Sequence, residues 1–346
     1  MRRIARLSTF AMILPVLAWT LSGASPALAA AARDVTGFVV FYDGGTSAHV
    51  WMERPGEWDA VTFDAATIEP DGSLATEIPA AAASFVREHH LTAYVCVSNY
   101  GQTDFDAREL GEIFASPRKT LALEHNLVRL VRGSPYAGIN VDFELNPGAD
   151  AGRFAAFLAA LRRQLHAVGR RLTVDVPAKT PDDTWDGGYD LAAIGRAADQ
   201  VIVMAYDYSG PGGPPGPVAP APWVAAALSY TIARIPVANV VLGIPAYGYD
   251  WHASATDSLS LPEVGGLIRQ FGVTPRWDAA AEVPYFTYTG KGGVGHTVYY
   301  EDSASLVAEL EIAQRDGLRG ISLWYVGSED SGYDQVLRRY AEGLIP

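Results

Sequence analysis

Apolar runs of strand length alternate with amphipathic segments of helix length along most of this chain. The helical pattern is clearest at 151–168, where Phe154, Leu158 and Leu165 fall on one stripe. Further helices are predicted at 78–89, 120–131, 223–235 and 303–316. Strands are predicted at 36–42, 60–64, 92–98, 138–144, 172–177, 200–206, 240–247 and 320–324.

Near-continuous apolar strands, most of them followed by a helix, are typical of a parallel sheet that is covered on both faces. The predicted strands therefore favour an α/β fold of the (β/α)8 TIM barrel type, built as a single domain over 30–346. A doubly wound open sheet is the alternative, but no glycine-rich phosphate-binding sequence follows the first strand. Residues 252–300 are long for a barrel connection and contain helix and strand patterns, so they predict a small insertion between strands 7 and 8.

The first 29 residues differ in composition from the rest of the chain. Three arginines precede an apolar run at 10–21, and Ala27 and Ala29 offer small residues for cleavage. This pattern predicts a secretory signal peptide at 1–29, and hence a secreted or periplasmic protein without membrane contact after cleavage. A retained N-terminal anchor is the alternative.

The formal charge is −13, and it becomes −16 without the three arginines of 1–29. An acidic surface argues against nucleic acid and anionic membranes as partners, whereas it allows a neutral polysaccharide. Cys96 is the only cysteine, so a disulfide within the chain is excluded. The histidines lack the spacing of metal ligands, so we expect no metal site. We also expect a monomer that needs no cofactor.

The most informative segment is the predicted fourth strand at 137–144. Alternate side chains of a strand point to one face, so Asn140, Asp142 and Glu144 project together. Buried acids are costly unless they are paired or take part in chemistry. The segment is therefore either a catalytic site or half of a buried ion pair, for which Lys179 after the fifth strand is the candidate partner.

Several other predicted strands end in polar or aromatic residues instead of apolar ones. Catalytic groups of such barrels lie at the carboxyl ends of the strands, where these side chains would meet in one pocket. Carboxylates, phenols and an indole together suit a sugar, which has an apolar ring face and many hydroxyl groups. The residues concerned are Tyr42, Tyr206, Asp207, Tyr247, Trp251 and Trp324.

These segments resemble glycoside hydrolase family 18, the chitinase-like barrels, whose fourth strand carries Asp-Gly-x-Asp-x-Asp-x-Glu. Here that strand reads Ala-Gly-Ile-Asn-Val-Asp-Phe-Glu. Met-Ala-Tyr-Asp at 204–207, Leu-Gly-Ile-Pro-Ala-Tyr-Gly at 242–248 and the late Trp324 follow in the family's order. Gly-Tyr-Asp-Trp at 248–251 and His-Thr-Val-Tyr-Tyr-Glu-Asp at 296–302 are most similar to the spore-cortex-lytic N-acetylglucosaminidase branch.

The resemblance implies a mechanism in which the substrate assists its own hydrolysis. Glu144 would protonate the glycosidic oxygen while the 2-acetamido carbonyl of the sugar attacks the anomeric carbon. Asp142 would orient the acetamido N–H, and Tyr206 would donate to the acetamido oxygen. Trp324 would form the floor under the distorted sugar. The further expected substrate contacts are Asn140, Asp207, Tyr247, Trp251 and Tyr42.

Strand spacing favours this mechanism over one that uses two carboxylates. A strand rises about 3.3 Å per residue, so Asp142 and Glu144 are expected roughly 6–7 Å apart on one wall. Both then approach the sugar from the same side and cannot flank its anomeric carbon. Burial and the neighbouring Asp142 are expected to raise the pKa of Glu144, as a general acid near neutral pH requires.

Two positions depart from the family's strand motif. Ala137 replaces the first Asp, at a peripheral position. Asn140 replaces the second, where many chitinases carry an Asp that shares a proton with the next acid. Asn cannot take up or release a proton, so a different pH profile is expected. The cortex-lytic branch carries the same Asn, and Glu144 is retained, so catalysis is still expected.

The sequence therefore predicts a secreted retaining glycoside hydrolase that acts on β-1,4-linked N-acetylglucosamine, with peptidoglycan the preferred substrate and chitin the second. An enzyme that cuts N-glycan cores would use the same residues. The alternative from another class is a catalytically silent, chitinase-like lectin. Such relatives usually lose the acid, so the retained Glu144 favours the enzyme.

Overall fold

The structure is a computed structural model that describes residues 33–185, 187–253 and 255–345. The predicted signal peptide at 1–29 lies outside these residues. None of the helices in the described part of the chain has the length and the apolar character of a membrane span. The strands are β1 (Asp34–Val40), β2 (Ala60–Ile68), β3 (Leu74–Thr76), β4 (Ala93–Ser98), β5 (Gly138–Asp142), β6 (Arg171–Pro177), β7 (Gln200–Met204), β8 (Val240–Pro245), β9 (Tyr247–His252), β10 (Ala255–Ser260), β11 (Arg276–Asp278), β12 (Val283–Thr289), β13 (Gly295–Tyr300) and β14 (Gly320–Trp324).

Eight parallel strands close into a barrel, so the predicted (β/α)8 fold is confirmed. Their order is β1-β2-β4-β5-β6-β7-β8-β14, and β14 pairs in turn with β1. This closure excludes the open sheet. β3 was not predicted, and it pairs antiparallel with the end of β2.

Helices lie between the barrel strands, and each helix predicted from an apolar stripe is present within a few residues of its expected bounds. Three short helices, Thr46–Glu53, Ala107–Phe114 and Leu191–Ala197, were not predicted, because seven or eight residues are too few to show a repeated stripe. The last helix, Ser331–Ala341, was not predicted either. The helices are α1 (Thr46–Glu53), α2 (Ala80–His89), α3 (Ala107–Phe114), α4 (Pro117–Val131), α5 (Ala151–Ala167), α6 (Leu191–Ala197), α7 (Ala221–Ile232), α8 (Leu261–Phe271), α9 (Ser303–Asp316) and α10 (Ser331–Ala341).

The two faces of β5 have opposite character, as its alternating sequence predicted. Ile139, Val141 and Phe143 are at most 1% exposed and belong to the main hydrophobic core. The Phe143 ring stacks on Phe157 of α5, with centroids 5.9 Å apart. Burial of this face against the helix stabilises the strand, by about 25 cal/mol for each Å² of apolar surface removed from water. The polar side chains therefore face the inside of the barrel.

Residues 247–300 form a second, five-stranded antiparallel sheet in the order β10-β9-β13-β12-β11. This is the insertion predicted between the seventh and eighth barrel strands, and it begins earlier than expected. The strand predicted at 240–247 ends at Pro245, and Tyr247 opens β9 in the new sheet. Gly248 permits this change, because a Cβ there would lie 2.4 Å from the Cβ of Tyr300 on β13.

Two glutamates are buried where β13 leads into α9. Glu301 is 1% exposed and Glu309 is 2% exposed. The Ala219 N–H donates to one Glu301 oxygen at 3.1 Å, whereas neither Glu309 oxygen has a partner among the described residues. Burial raises the pKa of Glu301 to about 8 and that of Glu309 well above its ordinary value, with the Glu301 charge adding to the second shift. Both carboxyls are therefore expected to be protonated near neutral pH.

Glu309→Gln should stabilise the fold relative to wild type as pH rises. The pKa of Glu309 is higher in the folded protein than in the unfolded chain. Its protonated carboxyl therefore adds fully to the free energy of unfolding below the unfolded-state pKa, and this contribution is lost as pH rises through the folded-state pKa. Each such group costs about 1.4 kcal/mol per pH unit in between, and Gln has no proton to lose. Urea unfolding near pH 5 and near pH 8 measures the difference. Glu311→Gln, exposed on the same helix, is the control. An equal pH dependence of Glu309→Gln and wild type would contradict the prediction.

Candidate active site

A cavity of about 700 Å³ opens at the carboxyl ends of the barrel strands. Asp142 ends β5, Met204 ends β7 and Trp324 ends β14, and all three line it. Catalytic groups lie at this end in (β/α)8 enzymes. The lining contains the acids Asp64, Glu77, Asp142, Glu144, Asp175 and Asp207 and the aromatic residues Phe38, Phe41, Tyr42, Tyr100, Phe105, Tyr206 and Trp324.

Glu144 is positioned by side-chain contacts to its backbone just beyond its strand. β5 ends at Asp142, two residues earlier than predicted. Beyond Asp142, the Asn99 side chain makes the hydrogen bonds that a neighbouring strand would otherwise make to the backbone. Its Oδ1 accepts from the Glu144 N–H at 2.8 Å, and its Nδ2 donates to the Glu144 carbonyl at 2.9 Å. Leu145 follows in the left-handed region, with φ of 55°, and turns the chain out of the barrel. The acid therefore has a defined place on the cavity wall.

The surroundings of Glu144 raise the pKa of its carboxyl into the neutral range. Burial is the main cause, the charges of Asp207 and Asp104 add to it, and the pKa of Glu144 rises to about 7. The sequence predicted this rise but named Asp142 as the neighbouring charge. Burial, together with the Glu144 and Asp175 charges, raises the pKa of Asp142 itself well above its ordinary value. A carboxyl whose pKa lies near 7 on an open cavity has the property that a general acid requires.

Tyr206 and Trp324 line the same cavity as the two acids. Burial raises the pKa of Tyr206 well above its ordinary value, so its hydroxyl is a neutral donor. Trp324 packs edge to face on Phe38, with ring centroids 5.3 Å apart. An indole wall, a phenol and carboxyl groups together offer an apolar surface and hydrogen-bonding partners to one ligand.

Asp207 is held from behind by two tyrosines. Its Oδ1 accepts a hydrogen bond from the Tyr247 hydroxyl at 2.5 Å and another from the Tyr249 hydroxyl at 2.8 Å. Trp251 packs on Tyr249 with centroids 5.6 Å apart and is 6% exposed. Tyr247 and Trp251 were predicted to contact the sugar, but neither lines the cavity. Both support the wall instead of forming it, and only Asp207 reaches the cavity.

The two remaining predicted contacts have opposite positions. Tyr42 lines the cavity and is 68% exposed, so it stands at the opening where a ligand would enter. Asn140 is fully buried and does not line the cavity. Its Nδ2 donates to Asp175 Oδ1 at 3.0 Å and to Thr173 Oγ1 at 3.1 Å, both on β6. Asn140 therefore acts on its neighbours and not on a ligand.

Three acids of the cavity, Asp64, Glu77 and Asp175, were not predicted, and two of them lie on barrel strands. Asp175 on β6 is 3% exposed, and burial, with the Glu144 and Asp64 charges, raises its pKa to about 8. Burial alone raises the pKa of Asp64, on β2, to about 6. A signal existed in the sequence, because each is a single acid within or at the end of an apolar strand.

The buried ion pair that the sequence left open is not formed. Neither Asp142 nor Glu144 has a charged partner among the described residues. Lys179, the candidate partner, donates to the Trp185 carbonyl at 2.9 Å and lies 4.5 Å over the centre of that indole ring. The acids therefore remain available to a ligand.

Cys96, Asp142 and Asp175 each place one potential metal-ligand atom within 4.8 Å of the others. Burial raises the pKa of the Cys96 thiol well above its ordinary value, and the charges of the nearby acids add to this. Since the thiolate, not the thiol, binds metals, this donor set does not suit a metal ion.

Comparison with known proteins assigns this geometry to a family. Residues 60–329 match the Glycosyl hydrolases family 18. YdhD of Bacillus subtilis, named as a sporulation-specific glycosylase, is 31% identical over 264 residues, which cover 74% of this chain and 63% of that protein. The cortical fragment-lytic enzyme of Bacillus subtilis is 27% identical over 254 residues, which cover 70% of this chain and 59% of that enzyme. The chain thus spans about six tenths of the length of these two relatives.

A chitinase of Chromobacterium violaceum has the same fold. Its crystal structure superposes with a TM-score of 0.83 and 32% identity, over 89% of this chain and 99% of that chain. The family resemblance inferred from the strand motifs is thereby confirmed. The chain belongs to family 18 of the glycosyl hydrolases.

Proposed function

We propose that this protein is an exported, retaining glycosidase that hydrolyses β-1,4-linked N-acetylglucosamine glycans with the help of the substrate's own 2-acetamido group. The observation that carries the proposal is Glu144, a carboxyl with a pKa of about 7 that shares one cavity with Asp142, Tyr206 and Trp324. The predicted signal peptide supports export.

In the first step, Glu144 gives its proton to the glycosidic oxygen as the bond from that oxygen to the anomeric carbon breaks. The acetamido carbonyl oxygen attacks the same carbon from the opposite face and forms a cyclic oxazolinium ion. Asp142 accepts a hydrogen bond from the acetamido N–H and offsets the positive charge. Tyr206 donates to the acetamido oxygen, and Trp324 supports the distorted sugar from below.

In the second step, Glu144 is a carboxylate and removes a proton from water. The resulting hydroxide opens the oxazolinium ring at the anomeric carbon, so the configuration is inverted twice and retained overall. Glu144 regains its proton, and the positive charge of the intermediate disappears.

Two features support substrate assistance over a nucleophilic enzyme carboxylate. Asp142 and Glu144 come from one strand end and approach the sugar from one side. The carboxyl of Asp207, on the wall formed by β7, already accepts two tyrosine hydroxyls at Oδ1. A carboxylate oxygen that already accepts two hydrogen bonds, as Asp207 Oδ1 does, is a weak nucleophile.

Peptidoglycan is the preferred polymer and chitin the second. The similarity to the cortical fragment-lytic enzyme supports the first, and the structural likeness to the Chromobacterium chitinase supports the second. A silent lectin of this family would not need a protonated acid at the cavity. The raised pKa of Glu144 therefore favours catalysis over binding alone.

The dependence on the acetamido group can be tested with two fluorogenic disaccharides. The enzyme should release 4-methylumbelliferone from the chitobioside and not from the cellobioside, which has the same linkage but a hydroxyl in place of the acetamido group. Proton NMR of a chitooligosaccharide digest should show the β-anomer before mutarotation. Hydrolysis of the cellobioside, or an α-anomer as first product, would contradict the mechanism.

Purified sacculi and colloidal chitin, digested in parallel, decide the polymer. Peptidoglycan specificity predicts soluble fragments with N-acetylglucosamine at the new reducing end from sacculi, released faster than any product from chitin. Binding to either polymer without release of fragments would favour the lectin.

A further inference from the structure

Two acids of neighbouring strands lie together inside the cavity. Asp142 on β5 and Asp175 on β6 each have a carboxyl oxygen within 4.8 Å of the other. Asp142 Oδ1 is buried and has no hydrogen-bond partner among the described residues, so its carboxyl can turn without breaking a bond. Asp175 is held, because its Oδ1 accepts from Asn140 Nδ2 at 3.0 Å.

Two carboxyls in such a place cannot both be ionised at low cost, so the pair titrates as one unit, and loss of its first proton leaves one proton shared by the two groups. Burial raises the pKa of both groups. The other titratable groups that face the pair are Asp64, Glu144, Cys96 and Tyr206. None of these can supply a positive charge in place of the proton.

We propose that Asp175 takes the proton of this pair when substrate binds, which leaves Asp142 as the anion that accepts the acetamido N–H. This inference rests on the proposed function. The O–H bond of Asp142 breaks and an O–H bond forms on Asp175 Oδ2, so no proton leaves the site. Asn140 directs the proton to Oδ2 because its amide occupies Oδ1. Asp175 is thus a positioning residue that acts through Asp142.

The proposal explains how the site works with Asn140 in its strand motif. Asn140 itself cannot store a proton, but it holds a carboxyl from the adjacent strand that can. The carboxyl that holds the proton therefore lies on β6, whereas the family motif places it on β5, and Asp142 remains its partner. Thr173, the second partner of Asn140, keeps the amide turned toward that carboxyl.

Asp175→Asn should change the way in which kcat depends on pH. In the wild type, the proton moves within the pair, so acidic solvent does not oppose the formation of the Asp142 anion. In the variant that proton must pass to solvent, and the rate should fall by about tenfold for each pH unit below the pKa of Asp142. The loss should appear in kcat, with KM changed by less than about threefold, because bound contacts are kept.

The experiment is the kcat and KM of both proteins on 4-methylumbelliferyl chitobioside, measured from about pH 5 to about pH 8. We expect the ratio of wild-type to variant kcat to be at least tenfold larger at the acidic end than at the alkaline end. A ratio that is the same at every pH, whether it is near one or very large, overturns the proposal.

Two further variants test whether Asp175 acts by holding a proton or only by supporting the structure. Thr173→Val removes the other partner of Asn140 but no titrating group, so any loss it causes should be independent of pH. The exchange Asn140→Asp with Asp175→Asn returns a carboxyl to the neighbourhood of Asp142 from β5 and should recover the acid-side activity. Failure of this exchange to recover it overturns the proposal.

The two proposals fail in distinguishable ways. If the wild type shows no turnover that depends on Glu144, the proposed function is wrong. If that turnover is present but Asp175→Asn leaves the pH profile unchanged, only the role of Asp175 is wrong.

Discussion

Glu144→Gln should lower kcat on a 4-methylumbelliferyl chitooligosaccharide by about a thousandfold, within the range expected for loss of a general acid. Gln keeps the size and the hydrogen-bonding ability of the side chain but has no proton to give to the leaving oxygen. Asn99 holds the backbone of residue 144, not its carboxyl, so the substitution leaves that anchoring in place. KM should therefore change by less than about threefold.

Glu77→Gln is the matched control, since Glu77 lines the same cavity but is exposed near its opening. Its kcat should remain close to that of the wild type. Equal losses in the two variants would mean that the charge of the cavity matters and not the acid at 144.

The pKa of Glu144 sets the alkaline limit of the same reaction. Burial raises that pKa to about 7, and only the protonated form can act as the acid. The kcat/KM of the wild type should therefore fall as pH rises above about 7, by tenfold per unit at the limit. A rate that stays constant up to about pH 9 would contradict the assignment.

The second large effect is expected from Tyr206→Phe, which should lower kcat by about a hundredfold. Losses of this size are found when an enzyme loses one hydrogen-bond donor to an atom whose charge changes in the transition state. The hydroxyl of Tyr206 is proposed to bond the acetamido oxygen as that atom attacks the anomeric carbon. No hydrogen bond to this hydroxyl is formed by the described residues, so Phe should fold as well as Tyr. Steady-state kinetics and a thermal unfolding curve test both expectations.

Tyr208→Phe is the control for this variant, because Tyr208 is two residues further along, 57% exposed and absent from the cavity lining. It should retain full activity. A Tyr206→Phe variant with wild-type kcat would remove Tyr206 from the mechanism, and one with an unchanged kcat but a raised KM would assign it to binding alone.

The sequence by itself determined the barrel and the identity of its polar strand end. Apolar strands that alternate with amphipathic helices can bury both surfaces of a sheet only in a few layered folds, and eight such units favour closure. The period of two in 138–144 then separates Asn140, Asp142 and Glu144 from the apolar side chains that pack on α5. These are local properties, so they can be read along one chain.

Tertiary structure alone decided which of these side chains meet. Tyr247 and Trp251 end up behind the cavity because the chain leaves the barrel at Pro245 and pairs with β13. Asp175 comes to lie against Asn140 because of the register between β5 and β6. The face of a strand follows from its own sequence, whereas its neighbours, and hence the pKa values of buried acids, depend on pairing between residues far apart in the chain.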